Sequence, residues 1–271
     1  MINQKNKENL FSVSEIKKAM GEKIEIYKEN NQEDANEFIT YYLDLLHKEI
    51  LNKNISREKI ISIKNEEDKE RFLKYYNKFC VKKGSSFILD LFYIILHTKK
   101  YCNCNTLSKT FSSMNLLELP IYSSLVKDHT NVIRLEEILN AFISPNKISN
   151  LFCEKCQAQI FSQTTFYVLP QYLIIYFGRK NDDNFIGNKI DFPKSIDLKK
   201  FLNQDIRNDL SNYNYNLKSI ILYRSIGKKG HYSSCLRNGN VWIYCDDHYI
   251  KNYKEMVLIG IPIILFYEKE N

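Results

Sequence analysis

Apolar residues recur along this chain at two spacings, and the spacing changes where the elements should change. Ala35, Phe38, Ile39, Tyr42, Leu43, Leu46 and Ile50 fall three or four positions apart, which predicts a helix with one buried face. Asn31 stands where an N-cap would, and the acids behind it suit the positive end of the helix dipole. Gln32, Asp34 and Glu37 lie in the first turns, away from most of the apolar stripe. Residues 51–84 are strongly charged and predict a loop followed by a short helix around Glu70 to Tyr76. Ser86 to His97 is a long apolar run and reads as a strand, and Leu116 to Ile121 is a shorter run ending near Pro120. Leu135, Ile138, Leu139 and Phe142 share one face of a predicted helix over Val132 to Phe142. A strand pair then splits near Thr164 and Thr165 and continues through Leu169 to Phe177. Asn181 to Asn188 is a polar loop, and Ile261 to Tyr267 is a last strand in which Pro262 marks an edge or a bulge.

The most informative pattern is near the C-terminal end. Leu217 to Tyr223 is apolar and rich in β-branched residues, so it predicts a strand. Gly227 and Gly230 bracket a short loop carrying Lys228 and Lys229, His231 opens a second strand, and Asn238-Gly239 supplies a tight turn. Val241 to Cys245 runs back. Hairpin strands lie ~5 Å apart, so Asp246 returns close to His231. A carboxylate beside an imidazole fixes its tautomer and supports the imidazolium, which is half of a nucleophile, base and orienter set. The same residues also fit a lone histidine at a strand start with a solvated Asp246-Asp247 pair at a strand end.

Composition narrows the classes. A hydrophobic content of 44% over 271 residues is ample for a core, in one large domain or two small ones sharing a core. The net charge of +7 comes from scattered lysine pairs, with no run dense enough for nucleic acid. No apolar signal segment opens the chain, and the longest apolar run, Met256 to Tyr267, is too short to span a bilayer. These features lead us to expect a soluble, intracellular protein with no membrane contact. Four of the seven cysteines form two close pairs, Cys102 with Cys104 and Cys153 with Cys156. Two such pairs, each in a turn between strands, suit a closed tetrahedral zinc site better than a disulfide framework. Two unrelated pairs of reduced thiols are the alternative.

In their order these segments resemble the ubiquitin-specific proteases, papain-like cysteine deubiquitinases. Asn31-Gln32-Glu33-Asp34-Ala35-Asn36-Glu37-Phe38 with Leu45-Leu46-His47 is similar to that family's Q-Q-D-A-x-E-F helix. Ser86 to Phe92 with Cys102 and Cys104, and then Cys153-Glu154-Lys155-Cys156, resemble the two halves of its zinc-binding fingers. Leu169-Pro170-Gln171-Tyr172-Leu173-Ile174-Ile175 with Arg179 looks like its L-P-x-x-L-I-I strand. Gly230-His231-Tyr232 and Trp242-x-x-x-Asp246-Asp247 are similar to its histidine and aspartate boxes, and Pro262 to Tyr267 to its closing strand.

The resemblance implies an α+β, papain-like fold of fingers, palm and an incomplete thumb. By that likeness, thumb helices occupy residues 11–80, fingers most of 86–176, and palm 177–268. It implies a thiol-dependent deubiquitinase whose partners are ubiquitin and ubiquitinated proteins. His231 would be the general base, Asp246 its orienter, and Asp247 a helper there or at the oxyanion. Gln32, Asp34, Glu37, Gly230 and Tyr232 would bind substrate, with Asp34 and Glu37 facing the basic tail of ubiquitin. Cys102, Cys104, Cys153 and Cys156 would hold a structural zinc. The family's nucleophile belongs to an N-x-C-Y-like box ahead of the Q-Q-D-A-like helix. Residues 1–30 contain no cysteine, and none of the seven replaces it convincingly. We therefore expect a domain that starts after its nucleophile, incomplete or inactive as this chain. A non-catalytic ubiquitin-binding scaffold is the alternative, and a zinc-ribbon nucleic-acid binder is a weaker one that leaves the hairpin unexplained.

Overall fold

The computed structural model describes residues 13–51, 66–84, 86–128, 130–181, 184–206, 211–226 and 229–270. The chain divides into two compact units, Met1–Leu45 and Leu46–Asn271. The first unit contains α1 (Val13–Lys23), a 3-10 turn (Glu25–Tyr27) and most of α2 (Ala35–Glu49). Tyr27 is buried there, with its ring edge against Phe38 at 5.5 Å.

The cap of α2 differs from the sequence expectation. Asp34, not Asn31, closes the helix: its Oδ1 accepts the amides of Asn36 at 2.7 Å and Glu37 at 3.3 Å. Asn31 is too far upstream, and its side-chain amide donates to Glu29 instead. The helix stops at Glu49, which leaves Ile50 exposed rather than on the buried face.

In the second unit the chain runs through α3 (Glu66–Lys83), α4 (Phe87–Phe92), β1 (Ile94–Tyr101), β2 (Thr106–Met114), β3 (Leu117–Pro120), β4 (Ile133–Arg134) and α5 (Leu135–Ile143). It continues through β5 (Asn146–Phe152), β6 (Gln159–Val168), β7 (Tyr172–Gly178), β8 (Lys180–Asn181), β9 (Asn184–Phe185), β10 (Ile190–Asp191) and β11 (Ser195–Asp197). The last strands are β12 (Asn214–Ile226), β13 (Lys229–Asn238), β14 (Val241–Asp246), β15 (Tyr249–Tyr253) and β16 (Ile261–Lys269).

Two sheets organise the unit. One is four-stranded in the order β2-β1-β6-β5, and the other runs β15-β14-β13-β12-β16-β7-β3 with β11 added to β12. A continuous core joins Ile94, Leu117, Leu135, Phe166, Ile175, Leu222 and Tyr267, all fully buried.

Several elements depart from the periodicity reading. The apolar run from Ser86 is not one strand: Phe87–Phe92 is a helical turn and a half, and only Ile94 onward is extended. Short apolar runs fit either state, and here the turn lets Ile88 and Leu89 bury while Phe87 stays out. The charged segment forms a helix of 18 residues rather than a short one, acidic at its start and basic at its end as the dipole favours. Phe72 and Tyr76 bury its apolar side, and Asp68 pairs with Lys109 of β2 at 2.6 Å. The loop expected ahead of α3 falls mostly on residues 52–65, outside those described. α5 starts at Leu135, later than expected, because Ile133 and Arg134 pair with β10.

β6 is unbroken through Thr164 and Thr165. Both are β-branched and lie opposite Thr98 and His97 of β1, so nothing interrupts the ladder. The break comes at Leu169 to Gln171, where Pro170 has no N–H to donate. β16 as a whole lies between β12 and β7, but its ladder with β7 starts at Ile264, so Pro262 is paired on the β12 side alone. The β12 ladder also shifts register where Leu222 meets Pro262, the bulge a proline needs.

His47 shows how a polar residue can be structural. It is buried, with Nε2 at 2.8 Å from the Lys83 carbonyl and Nδ1 at 2.6 Å from the Ser86 hydroxyl. A carbonyl only accepts, so Nε2 carries the proton and Nδ1 accepts from Ser86. The ring ties the end of α2 to the end of α3 and the start of α4.

Candidate active site and metal centre

β12, β13 and β14 present one continuous face. Along it lie Ile220, Leu222 and Arg224, then His231, Ser233 and Cys235, then Trp242, Tyr244 and Asp246, because alternate residues share a face and the registers align them. The interior of this face is buried: Ile220, Leu222, Cys235 and Tyr244 are each at most 1% exposed. At one end it turns polar, with Arg224 directly opposite His231 and Asp246 one residue beyond the last β13–β14 pair, Ser234 with Cys245. His231 is therefore diagonal to Asp246, and its Nε2 lies 2.5 Å from Asp246 Oδ1. The other carboxylate oxygen accepts from Arg224 Nη2 at 2.7 Å and from the Tyr244 hydroxyl at 3.0 Å. These donors hold the Asp246 carboxyl below its ordinary range, the His231 bond first, then Tyr244 and the Arg224 charge.

Asp247 is exposed and left-handed (φ 52°) in the turn after β14. Its carboxylate, that of Asp246 and a His231 ring nitrogen lie within 4.8 Å of one another. No thiol belongs to this cluster among the described residues. Cys235 shares the face but sits buried between Ile220 and Tyr244, where burial pushes its thiol up. Cys245 points to the opposite face of β14, and Cys80 packs on the core from α3.

Gly230 and Tyr232 occupy the other face of β13. The Tyr223 ring lies over Gly230, so closely that a Cβ there would come within 2.4 Å of it, and the Tyr223 and Tyr232 rings are 5.3 Å apart. Gly227 and Lys228 lie outside the described residues.

In the first unit Gln32, Asp34 and Glu37 are all exposed around the start of α2. Their field is visible on Tyr27, whose hydroxyl is pushed up to about 12 by burial and by the charges of Glu37, Glu33 and Asp34. This end of the helix is thus an acidic surface.

The cysteine pairs meet at the tip of the four-stranded sheet. The β1–β2 turn carries Cys102 and Cys104, and the β5–β6 turn carries Cys153 and Cys156. Pairing of β1 with β6 brings the two turns together. Cys102 N–H donates to the Asn105 carbonyl and Cys153 N–H to that of Ala158, which fixes both turns. The four sulfurs lie within 4.8 Å of one another, with Cys102 to Cys104 at 3.2 Å and Cys104 to Cys153 at 3.7 Å. Tetrahedral zinc–thiolate bonds require sulfurs about 3.8 Å apart, so the donor set fits zinc. Without a cation the sulfurs cannot all ionise. The Cys102 thiol falls to about 6 through its bond with Cys104, and that same bond leads in driving Cys104 up to about 12.

Comparison with known proteins decides the family. The family described as ubiquitin carboxyl-terminal hydrolase matches residues 1–267. The chain belongs to the ubiquitin carboxyl-terminal hydrolase family, of the ubiquitin-specific protease type. It is 27% identical to the probable ubiquitin carboxyl-terminal hydrolase 4 of Schizosaccharomyces pombe, over 89% of this chain and 44% of that protein. It is 26% identical to the human ubiquitin carboxyl-terminal hydrolase 3, over 87% and 48%. The chain thus spans about half the length of these relatives. Among solved structures, the SAGA DUB module of Ubp8, Sgf11, Sus1 and Sgf73 superposes with a TM-score of 0.67 at 18% identity, covering 91% of this chain and 54% of that one. The module bound to monoubiquitin gives the same TM-score at 16% identity, covering 94% and 52%. The fold is the papain-like, α+β fold of this family.

Sequence reasoning did not single out Arg224 or Tyr244. Their signal was present: both lie in step with apolar positions that the strand pairing buries, and both end beside Asp246.

Proposed function

We propose that this chain is the ubiquitin-recognising, base-and-orienter part of a thiol-dependent deubiquitinase. The contact between His231 Nε2 and Asp246 Oδ1 carries the reading. An ionised Asp246 accepts from Nε2–H, so the neutral imidazole keeps its lone pair on Nδ1. Nδ1 is then the base atom for a thiol set beside it. The thiolate would attack the carbonyl at the end of ubiquitin, and the leaving amine would take its proton back from Nδ1–H. Water would then hydrolyse the thioester, with Nδ1 again accepting a proton. Asp247, outside this bond, is placed to supply negative potential at the rim. Family membership supports ubiquitin as the partner. Zinc held by Cys102, Cys104, Cys153 and Cys156 would be structural, with no open position for chemistry.

The absence of a thiol from the His231 cluster among the described residues supports a second reading, a ubiquitin-binding domain that does not cleave. Both readings require ubiquitin recognition, and the acidic start of α2 suits the basic tail of ubiquitin. Asp34 also caps the helix, so Asp34→Lys would mix lost charge with a cap loss of about 1 kcal/mol. Asp34→Asn keeps a capping oxygen and removes the charge. In an NMR titration with labelled ubiquitin, we expect the unmodified chain to shift ubiquitin's C-terminal resonances. Asp34→Asn with Glu37→Gln should weaken binding about tenfold, and Asp34→Asn with Glu37→Lys should weaken it further. A folded chain that moves no ubiquitin resonance would defeat both readings.

A further inference from the structure

Arg224 is left without a role by the reaction above. It stands directly opposite His231 in the β12–β13 ladder, and its Nη2 donates to Asp246 Oδ2 at 2.7 Å. Its Nε is buried with no hydrogen-bond partner among the described residues. A guanidinium with one nitrogen desolvated is placed for the strong contact it makes among the described residues, the Asp246 carboxylate. Asp246 therefore has two claimants on opposite oxygens: imidazole on Oδ1, guanidinium and the Tyr244 phenol on Oδ2. A carboxylate held only by His231 can rotate about its Cβ–Cγ bond and swap oxygens. One pinned through Oδ2 presents Oδ1 at a fixed place.

We propose that Arg224 is a positioning residue that clamps Asp246 and thereby fixes His231 in the tautomer with the proton on Nε2. Resting on the reading of His231 as base, the proposal adds what keeps that base ready. Among the described residues, the charged and titratable groups facing His231 are Arg224 from β12, Asp246 and Tyr244 from β14, and Asp247 from the following turn. Arg224 brings the positive charge among them. It neutralises part of Asp246 from the oxygen opposite the imidazole, so the clamp works through orientation.

The test is NMR of the imidazole nitrogens in the chain as it stands. In the unmodified protein at neutral pH, His231 should show one tautomer, with Nε2 protonated and Nδ1 bare. Arg224→Gln should give a mixture of tautomers and raise the Asp246 carboxyl titration. Arg224→Lys keeps the charge but loses the planar fork, and should restore the Asp246 titration while restoring the tautomer only in part. A single Nε2–H tautomer in Arg224→Gln, with Asp246 titrating as before, would overturn the proposal.

A second measurement needs no variant. The Arg224 guanidinium of the unmodified protein should rotate slowly at neutral pH, with resolved Nη protons, and be released when acid protonates Asp246. Free rotation at neutral pH would also overturn the clamp. Neither result depends on ubiquitin, so loss of the clamp and loss of the functional reading are separable.

Discussion

Stripping the metal from this protein should collapse the four-stranded sheet at its tip and lower the thermal midpoint of the chain by more than about 10 °C. Structural zinc sites contribute on the order of 10 kcal/mol of apparent binding energy, comparable with the whole stability of a domain. The tip has little else: its buried cluster is Cys102, Cys153 and Ile160, with Ile148 and Cys156 packed alongside. Nearby Leu107, Leu151 and Phe152 are exposed and add little. A loss of even 4 kcal/mol lowers the midpoint of a domain this size by roughly 10 °C. Elemental analysis should give close to one zinc per chain, and Cys153→Ser with Cys156→Ser should abolish it. Gently purified protein that is folded, metal-free and indifferent to chelators would contradict the assignment.

The second large effect is an absence of labelling. A ubiquitin probe with a thiol-reactive C-terminus should form no adduct with any of the seven cysteines. Cys235 is fully buried with its thiol pushed up, and Cys102, Cys104, Cys153 and Cys156 are occupied by one another or by metal. Cys80 and Cys245 are outside the His231 cluster. A base without its nucleophile forfeits on the order of a million-fold in rate. Turnover of ubiquitin conjugates should accordingly be undetectable for these 271 residues. A stoichiometric adduct at Cys80, Cys235 or Cys245 that disappears in His231→Ala would show that the nucleophile had been misplaced.

What the sequence made legible was the pairing of elements by hairpin and the chemistry at their ends. Asn238-Gly239 announced the β13–β14 turn; the structure closes it one residue later, at Gly239-Asn240 between the paired Asn238 and Val241, and so brings Asp246 back diagonal to His231 rather than directly opposite. The two cysteine pairs were legible for the same reason, since each lies in a short turn. Local periodicity was a poorer guide where tertiary contacts decided the outcome. Ser86 to His97 is apolar throughout, and only packing separates its helical turn from β1. Asn31 and Asp34 are both good caps by residue type, and only the backbone shows which one meets free amides. Pro262 announced a bulge or an edge, and the extent of the ladders, which no local pattern encodes, makes it a bulge against β12 at a point the β7 ladder does not reach. Arg224 was hidden for a related reason, because its meaning depends on a register across three strands.

The central claim is that the end of ubiquitin comes to the His231–Asp246 pair. Ubiquitin carrying a photoactivated cross-linker at its C-terminus tests this directly, because it needs no thiol and no turnover. With the zinc-loaded chain in excess, the account predicts cross-linked peptides from the start of β13 at Gly230 to Tyr232 and from the turn at Asp246 to Tyr249. Excess unmodified ubiquitin should compete them away. Cross-links that fall only elsewhere on the chain, or none under conditions where ubiquitin is bound, would contradict the account.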